Sequence, residues 1–137
     1  MPYGVYQAPA NAQACIPLEA VGKPVTEVEK SVSPPGTGIT FDNWHTDFVV
    51  PSNQAFRRYI ATIVPVNGGE YTVQMNLKYA DDTADTVYNQ TASLLEGRAL
   101  SLVGLPRTDA DPYQVNLQVG GVRAIGNAYR LSVVGCY

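Results

Sequence analysis

Charge is scarce in this chain. Asp, Glu, Lys and Arg make up 15% of its 137 residues, against roughly 25% in ordinary soluble domains. Only Lys23, Lys30 and Lys78 are lysines, and the nine basic residues are scattered. The one adjacent pair, Arg57-Arg58, would point to opposite faces of a strand. A phosphate backbone finds no basic stripe to follow, so no nucleic-acid partner is expected. No apolar run approaches the roughly 18 residues of a membrane helix, so no membrane partner is expected either. The opening Met1-Pro2-Tyr3-Gly4-Val5 has neither a basic nor an apolar signal region. The expected location is therefore the cytoplasm, or outside it by a route without a classical signal peptide.

Chemistry-bearing residues are equally sparse. His45 is the sole histidine, and Cys15 and Cys136 stand near opposite ends without a CxxC spacing. No Cys/His ligand set forms. GxGxxG, P-loop, GxSxG and HExxH motifs are all missing. The expectation is a non-enzymatic protein with no catalytic residue, no metal site and no cofactor. His45 and Asp47 would share a strand face, the geometry of a base and its orienter, but no nucleophile is tied to them by motif. Asp81, Asp82 and Asp85 in one turn, and Asp109 and Asp111 in another, have the oxygen chemistry that calcium favours. They lack EF-hand spacing, and Asp is common in turns for its own hydrogen bonding. The two cysteines are expected as buried thiols. Paired, they would close a loop worth about 4–5 kcal/mol in the chain-entropy model.

Asn, Gln, Thr and β-branched residues are abundant. Tyr71-Thr72-Val73-Gln74-Met75-Asn76-Leu77-Lys78-Tyr79 alternates apolar and polar throughout, and Tyr113-Gln114-Val115-Asn116-Leu117-Gln118-Val119 repeats the pattern. A strand sends successive side chains to opposite faces, so each segment has one buried and one wet face. Further strand-like runs are Ile39–Phe41, His45–Val50, Phe56–Val66, Thr86–Leu94, Ala99–Leu105, Val122–Ile125 and Tyr129–Val134. Asn67-Gly68-Gly69-Glu70 reads as a hairpin turn joining Phe56–Val66 to Tyr71–Tyr79. Seven to nine strands at this spacing indicate an all-β fold, an antiparallel β-sandwich of jelly-roll or Greek-key type.

Residues 1–38 differ from the rest, holding six of the ten prolines. Proline at that density disfavours helix and interior strand. They read as an extended N-terminal arm, with at most a short helix over Val25–Lys30 and a linker over Ser33–Gly38. The β-sandwich domain is then expected over 39–137. Tyr3 and Tyr6 on such an arm are candidate anchors for a partner's groove. Gln74 and Asn76 on one strand, and Gln114, Asn116 and Gln118 on another, would form a polar platform if the strands are neighbours, with Trp44 alongside. Neutral amides cost less to bury than charge, so such a face suits another protein or a sugar.

In layout, the proline-broken arm, compact β-body and low charge resemble the small decoration or cement proteins on the heads of tailed phages. That resemblance implies a virion structural protein contacting other subunits in a capsid-like lattice or homo-oligomer, and it carries no motif. The alternative is a carbohydrate-binding module working through Trp44 and the amide rows.

Overall fold

The computed structural model describes residues 14–34 and 43–137. Among these, nine strands form two antiparallel sheets: β1 (Cys15–Pro17), β2 (Glu27–Ser31), β3 (His45–Val49), β4 (Arg58–Pro65), β5 (Gly69–Lys78), β6 (Ala84–Leu94), β7 (Leu100–Gly104), β8 (Gln114–Gly120) and β9 (Ala128–Cys136). The first sheet runs β1-β9-β4-β7, with β2 following β1 along β9; the second runs β3-β8-β5-β6. Strands pair in nested fashion: β2 with β9, β3 with β8, β4 with β7, β5 with β6. This winding is that of a jelly-roll β-sandwich, as the strand spacing indicated.

The core follows from the alternation. On β5, Tyr71, Val73, Met75 and Leu77 are buried while Thr72, Gln74, Asn76 and Lys78 are not. Across the sandwich they meet Tyr59, Ala61 and Ile63 of β4 and Tyr129, Leu131 and Val133 of β9 in one apolar cluster. Each large side chain so buried contributes about 1.5–3 kcal/mol. The hydroxyls of Tyr59 and Tyr129 are buried without a hydrogen-bond partner among the described residues. Burial pushes both phenols well above their usual range, so they stay neutral.

Residues 14–34 are not an arm. β1 and β2 add to the free edge of β9, and Leu18, Ala20 and Val32 are buried in the common core. The domain therefore reaches back to Cys15, and residues 14–34 share its core. The prolines are compatible with this because of where they fall. Pro17 ends an edge strand and Pro24 lies in the turn between β1 and β2, positions where a missing N–H breaks no interior ladder. The helix expected over Val25–Lys30 is instead β2. Val28 and Lys30 face the sandwich interior, while Glu27 and Glu29 face out. Tyr3, Tyr6, the strand expected at Ile39–Phe41 and most of the linker lie outside the described residues.

Cys15 and Cys136 are direct register partners and form a disulfide, with an S–S distance of 2.09 Å. The two free thiols are thus corrected to a staple that locks β1 onto the last strand. Asn67-Gly68-Gly69 does not close a hairpin, because β4 and β5 belong to different sheets. The segment crosses the sandwich. Asn67 Oδ1 accepts from Ala128 N at 2.9 Å, while Tyr71 Oη donates to Asn67 O at 2.6 Å. Gly68 is needed for a close approach: a Cβ there would lie 3.2 Å from both Leu94 O and Glu96 N. Val122–Ile125 is no strand but contains a short 3-10 turn, Val122–Ala124, entered through Gly121 at φ 107°.

Candidate functional site

The outward face of the second sheet is built in register. Asn76 sits opposite Asn116, Gln74 opposite Gln118, and Lys78 opposite Gln114. The neighbouring strand β3 sets Asp47 opposite Asn116, His45 opposite Gln118 and Val49 opposite Gln114. On the other side, β6 sets Thr86 opposite Asn76 and Asn89 opposite Gln74. Five residues expected to form a polar platform, Gln74, Asn76, Gln114, Asn116 and Gln118, therefore do share one face.

A hydrogen-bonded row crosses all four strands. Thr86 Oγ1 donates to Asn76 Oδ1 at 2.7 Å, and Asn76 Nδ2 donates to Asn116 Oδ1 at 3.0 Å. Asn116 Nδ2 in turn donates to Asp47 Oδ1 at 3.0 Å and lies 3.3 Å from His45 Nδ1. Lys78 Nζ approaches the same Asp47 oxygen at 3.5 Å. Asn116 is 7% exposed although it points away from the core, because its neighbours enclose it. The row fixes each amide's orientation. Gln74, Gln118 and Gln114 flank it, with only a long contact of 3.4 Å from Asn76 Nδ2 to Gln74 Oε1.

Trp44 stands at one end of the platform. Its Nε1–H donates to Ser33 O at 2.6 Å, and its ring lies over Gly120, where any Cβ would overlap the ring. Glycine at 120 is what lets the indole settle onto the sheet. Asn43 adds a second clamp, donating through Nδ2 to Ser31 O at 2.8 Å.

His45 and Asp47, which sequence alone marked as a possible base and orienter, share the face. Both turn to Asn116, whose Nδ2 lies between them. Their place in the platform became visible only once β3 was known to neighbour β8. Thr86 and Asn89 join it for the same reason through β6. In the first acidic turn, Asp81 and Asp85 are already engaged. Asp81 accepts from the Thr83 amide and hydroxyl, and Asp85 forms a two-point pair with Arg107 at 2.8 and 2.9 Å. These contacts hold both carboxyls below the usual carboxylate range, by hydrogen bonds from Thr83 and Arg107 respectively. Among the described residues no cluster of three metal-binding side chains forms, and no helix is long and apolar enough to cross a membrane.

At the β3 edge the platform meets a groove of about 490 Å³ between β2, β3 and the turn that precedes β2. His45 and Asp47 line both the platform and this groove.

No protein-family model matches the chain, and no curated protein matches it. Among solved structures it is similar to one described as "CBM4 structure and function", at 14% identity, covering 82% of this chain and 92% of that one, with a TM-score of 0.33. A likeness at that level carries no argument about ligand or activity.

Proposed function

We propose that the outward face of the β3-β8-β5-β6 sheet binds a carbohydrate chain. The carrying observation is the continuous row Thr86–Asn76–Asn116–Asp47. Sugar hydroxyls need donors and acceptors side by side, and carboxamides present both in one plane. Amides already oriented by one another lose little freedom on binding, which favours affinity. The flanking Gln74, Gln118 and Gln114 reach ligand hydroxyls, while the half-buried Trp44 ring supplies an apolar edge of fixed position. Oxidising compartments, where disulfides persist, suit the Cys15–Cys136 bond better than the cytosol does.

The test is glycan-array screening followed by calorimetry on the oxidised protein. Gln74→Ala and Gln118→Ala should each weaken binding about threefold to tenfold, the value of one lost hydrogen bond. Absence of binding to any glycan by folded protein would overturn the reading.

A second reading, contact with another protein subunit, is favoured by a different face. Across the first sheet, Pro17, Val134, Ile60 and Val103 align outward in register. Val103 is 54% exposed and Leu105 beyond it 67%. Such a row suits a protein contact. The assembly role expected from the arm now draws its support from this face, since residues 14–34 lie within the sheet. Self-association that Val103→Asp abolishes, measured by sedimentation, would favour it.

A further inference from the structure

We infer that the groove between β2 and β3 is an added subsite for a linear, uncharged oligosaccharide laid across the strands of the platform. This rests on the carbohydrate reading above and extends it.

The groove is part of the hydrogen-bonded fold. Its outer wall, residues 20–25, is tied to β3 by a bridge between Ala20 and Phe48. Val21 N donates to Asp47 O at 2.9 Å and Val49 N to Glu19 O at 2.8 Å. On the other side Lys30 reaches from β2 to His45 O and Thr46 Oγ1, both at 2.8 Å, and seals the sandwich edge behind the groove. Its volume of about 490 Å³ falls within the roughly 300–1,000 Å³ of ligand pockets. Val21 and Val25 line it while 47% and 39% exposed, giving an apolar wall on which the C–H face of a sugar ring can rest.

Direction follows from the row of amides. It runs perpendicular to the strands, from Thr86 on β6 to Asp47 on β3, over three gaps of about 4.8 Å each. A chain following the row arrives at His45 and Asp47, which also line the groove. The ligand path therefore turns over the β3 edge rather than stopping there.

Charge sets the class of sugar. On the platform Asp47 and Lys78 face each other at 3.5 Å and offset. In the groove Glu27 and Glu29 stand with Lys23 and Lys30. Neither part has surplus positive charge for a uronate or sulfate, and the chain as a whole carries −3. Acidic glycans gain nothing here and meet a net repulsion.

The experiment is calorimetry on the full, oxidised chain with size series of neutral oligosaccharides, from disaccharide to hexasaccharide. One uronate-containing hexasaccharide serves for comparison. Affinity should climb by about tenfold as the ligand grows past a trisaccharide, the yield of one further subsite. Val25→Asp, at an exposed turn position, should return the hexasaccharide to the trisaccharide's affinity and leave the trisaccharide unchanged. Val21→Asp, on the same wall, should repeat the result. Equal affinity for trisaccharide and hexasaccharide overturns the groove subsite and leaves the platform reading standing. So does a Val25→Asp loss shared by both lengths. Tighter binding of the acidic ligand overturns the charge assignment. Failure of every ligand, neutral and acidic alike, overturns platform and groove together.

Discussion

The two sheets bury nearly the same chemistry and expose different chemistries. Inward, β4 and β9 offer Tyr59, Ile63, Tyr129 and Leu131, and β5 and β8 offer Tyr71, Met75, Val115 and Leu117, all fully buried or nearly so. Outward, the first sheet presents Ile60, Val64, Val103 and Val134 among Ser, Thr, Arg130 and Glu29, whereas the second presents Thr86, Asn76, Asn116 and Asp47 joined in a cross-strand row flanked by glutamines. Strand alternation accounts for both inner faces and says nothing about the difference between the outer ones. An outward face that only needs solvation has no reason to join Thr86, Asn76, Asn116 and Asp47 across four strands. The row spends oriented hydrogen bonds where water would serve, which is why function is sought there.

Five experiments press on that contrast. The largest effect is expected from the staple on the first sheet. Cys15→Ser with Cys136→Ser removes a link between residues 121 apart in sequence, costing about 4–5 kcal/mol in the chain-entropy model. The thermal midpoint should then fall by roughly 10–15 °C, with glycan affinity at low temperature retained. Next comes Gly135→Ala, whose Cβ would lie 2.5 Å from the Phe56 ring. Overpacking of this kind costs about 1–3 kcal/mol, read by chemical denaturation. A platform substitution of similar size is Asn116→Ala, which strips partners from Asp47 and Asn76. It should cost about 1–3 kcal/mol and abolish sugar binding, so it couples stability and function where Gly135→Ala affects stability alone. An unfolding midpoint unchanged by Asn116→Ala would show the row to be ornamental.

Smaller effects sharpen the comparison. Tyr129→Phe removes a buried hydroxyl with no partner among the described residues, so stability should hold or rise by up to about 1 kcal/mol. A clear loss would reveal a hydrogen bond at that hydroxyl. The smallest effect concerns Asp85, whose carboxyl is held below its ordinary value of 3.8, chiefly by hydrogen bonds from Arg107. A depressed acid contributes stability above its unfolded value and loses it as pH falls through the lower folded value. The wild-type advantage over Arg107→Ala should thus be present above about pH 4 and vanish in stronger acid. An advantage that persisted or grew in stronger acid would assign it to Arg107 packing over the Tyr79 ring.

Much of the platform was legible from residues alone. Gln74 and Asn76, and Gln114, Asn116 and Gln118, alternate with large apolar residues, and alternation is a local property that needs no partner to be seen. Which strand lies beside which is not local. The Asn67-Gly68-Gly69 turn has hairpin chemistry, yet its strands part into different sheets because β4 finds β9 and β7, and β5 finds β8 and β6. The same blindness made an arm of residues 14–34. Proline density disfavours strands only at interior positions, and Pro17 and Pro24 fall at an edge and a turn. The Glu27-Val28-Glu29 alternation of β2 is too short to mark a strand until its pairing with β9 is known.

The sequence by itself determined the fold class, since period-two patterning leaves a sheet as the way to bury one face and wet the other. It determined too that five amide-bearing residues would look outward. Only the tertiary structure decided that Asn76 and Asn116 meet in one row, that β3 brings Asp47 and His45 to join them, and that Cys15 reaches Cys136. Each of these depends on which edges pair over long separations, and pairing is chosen by the whole core closing together rather than by any segment's own residues.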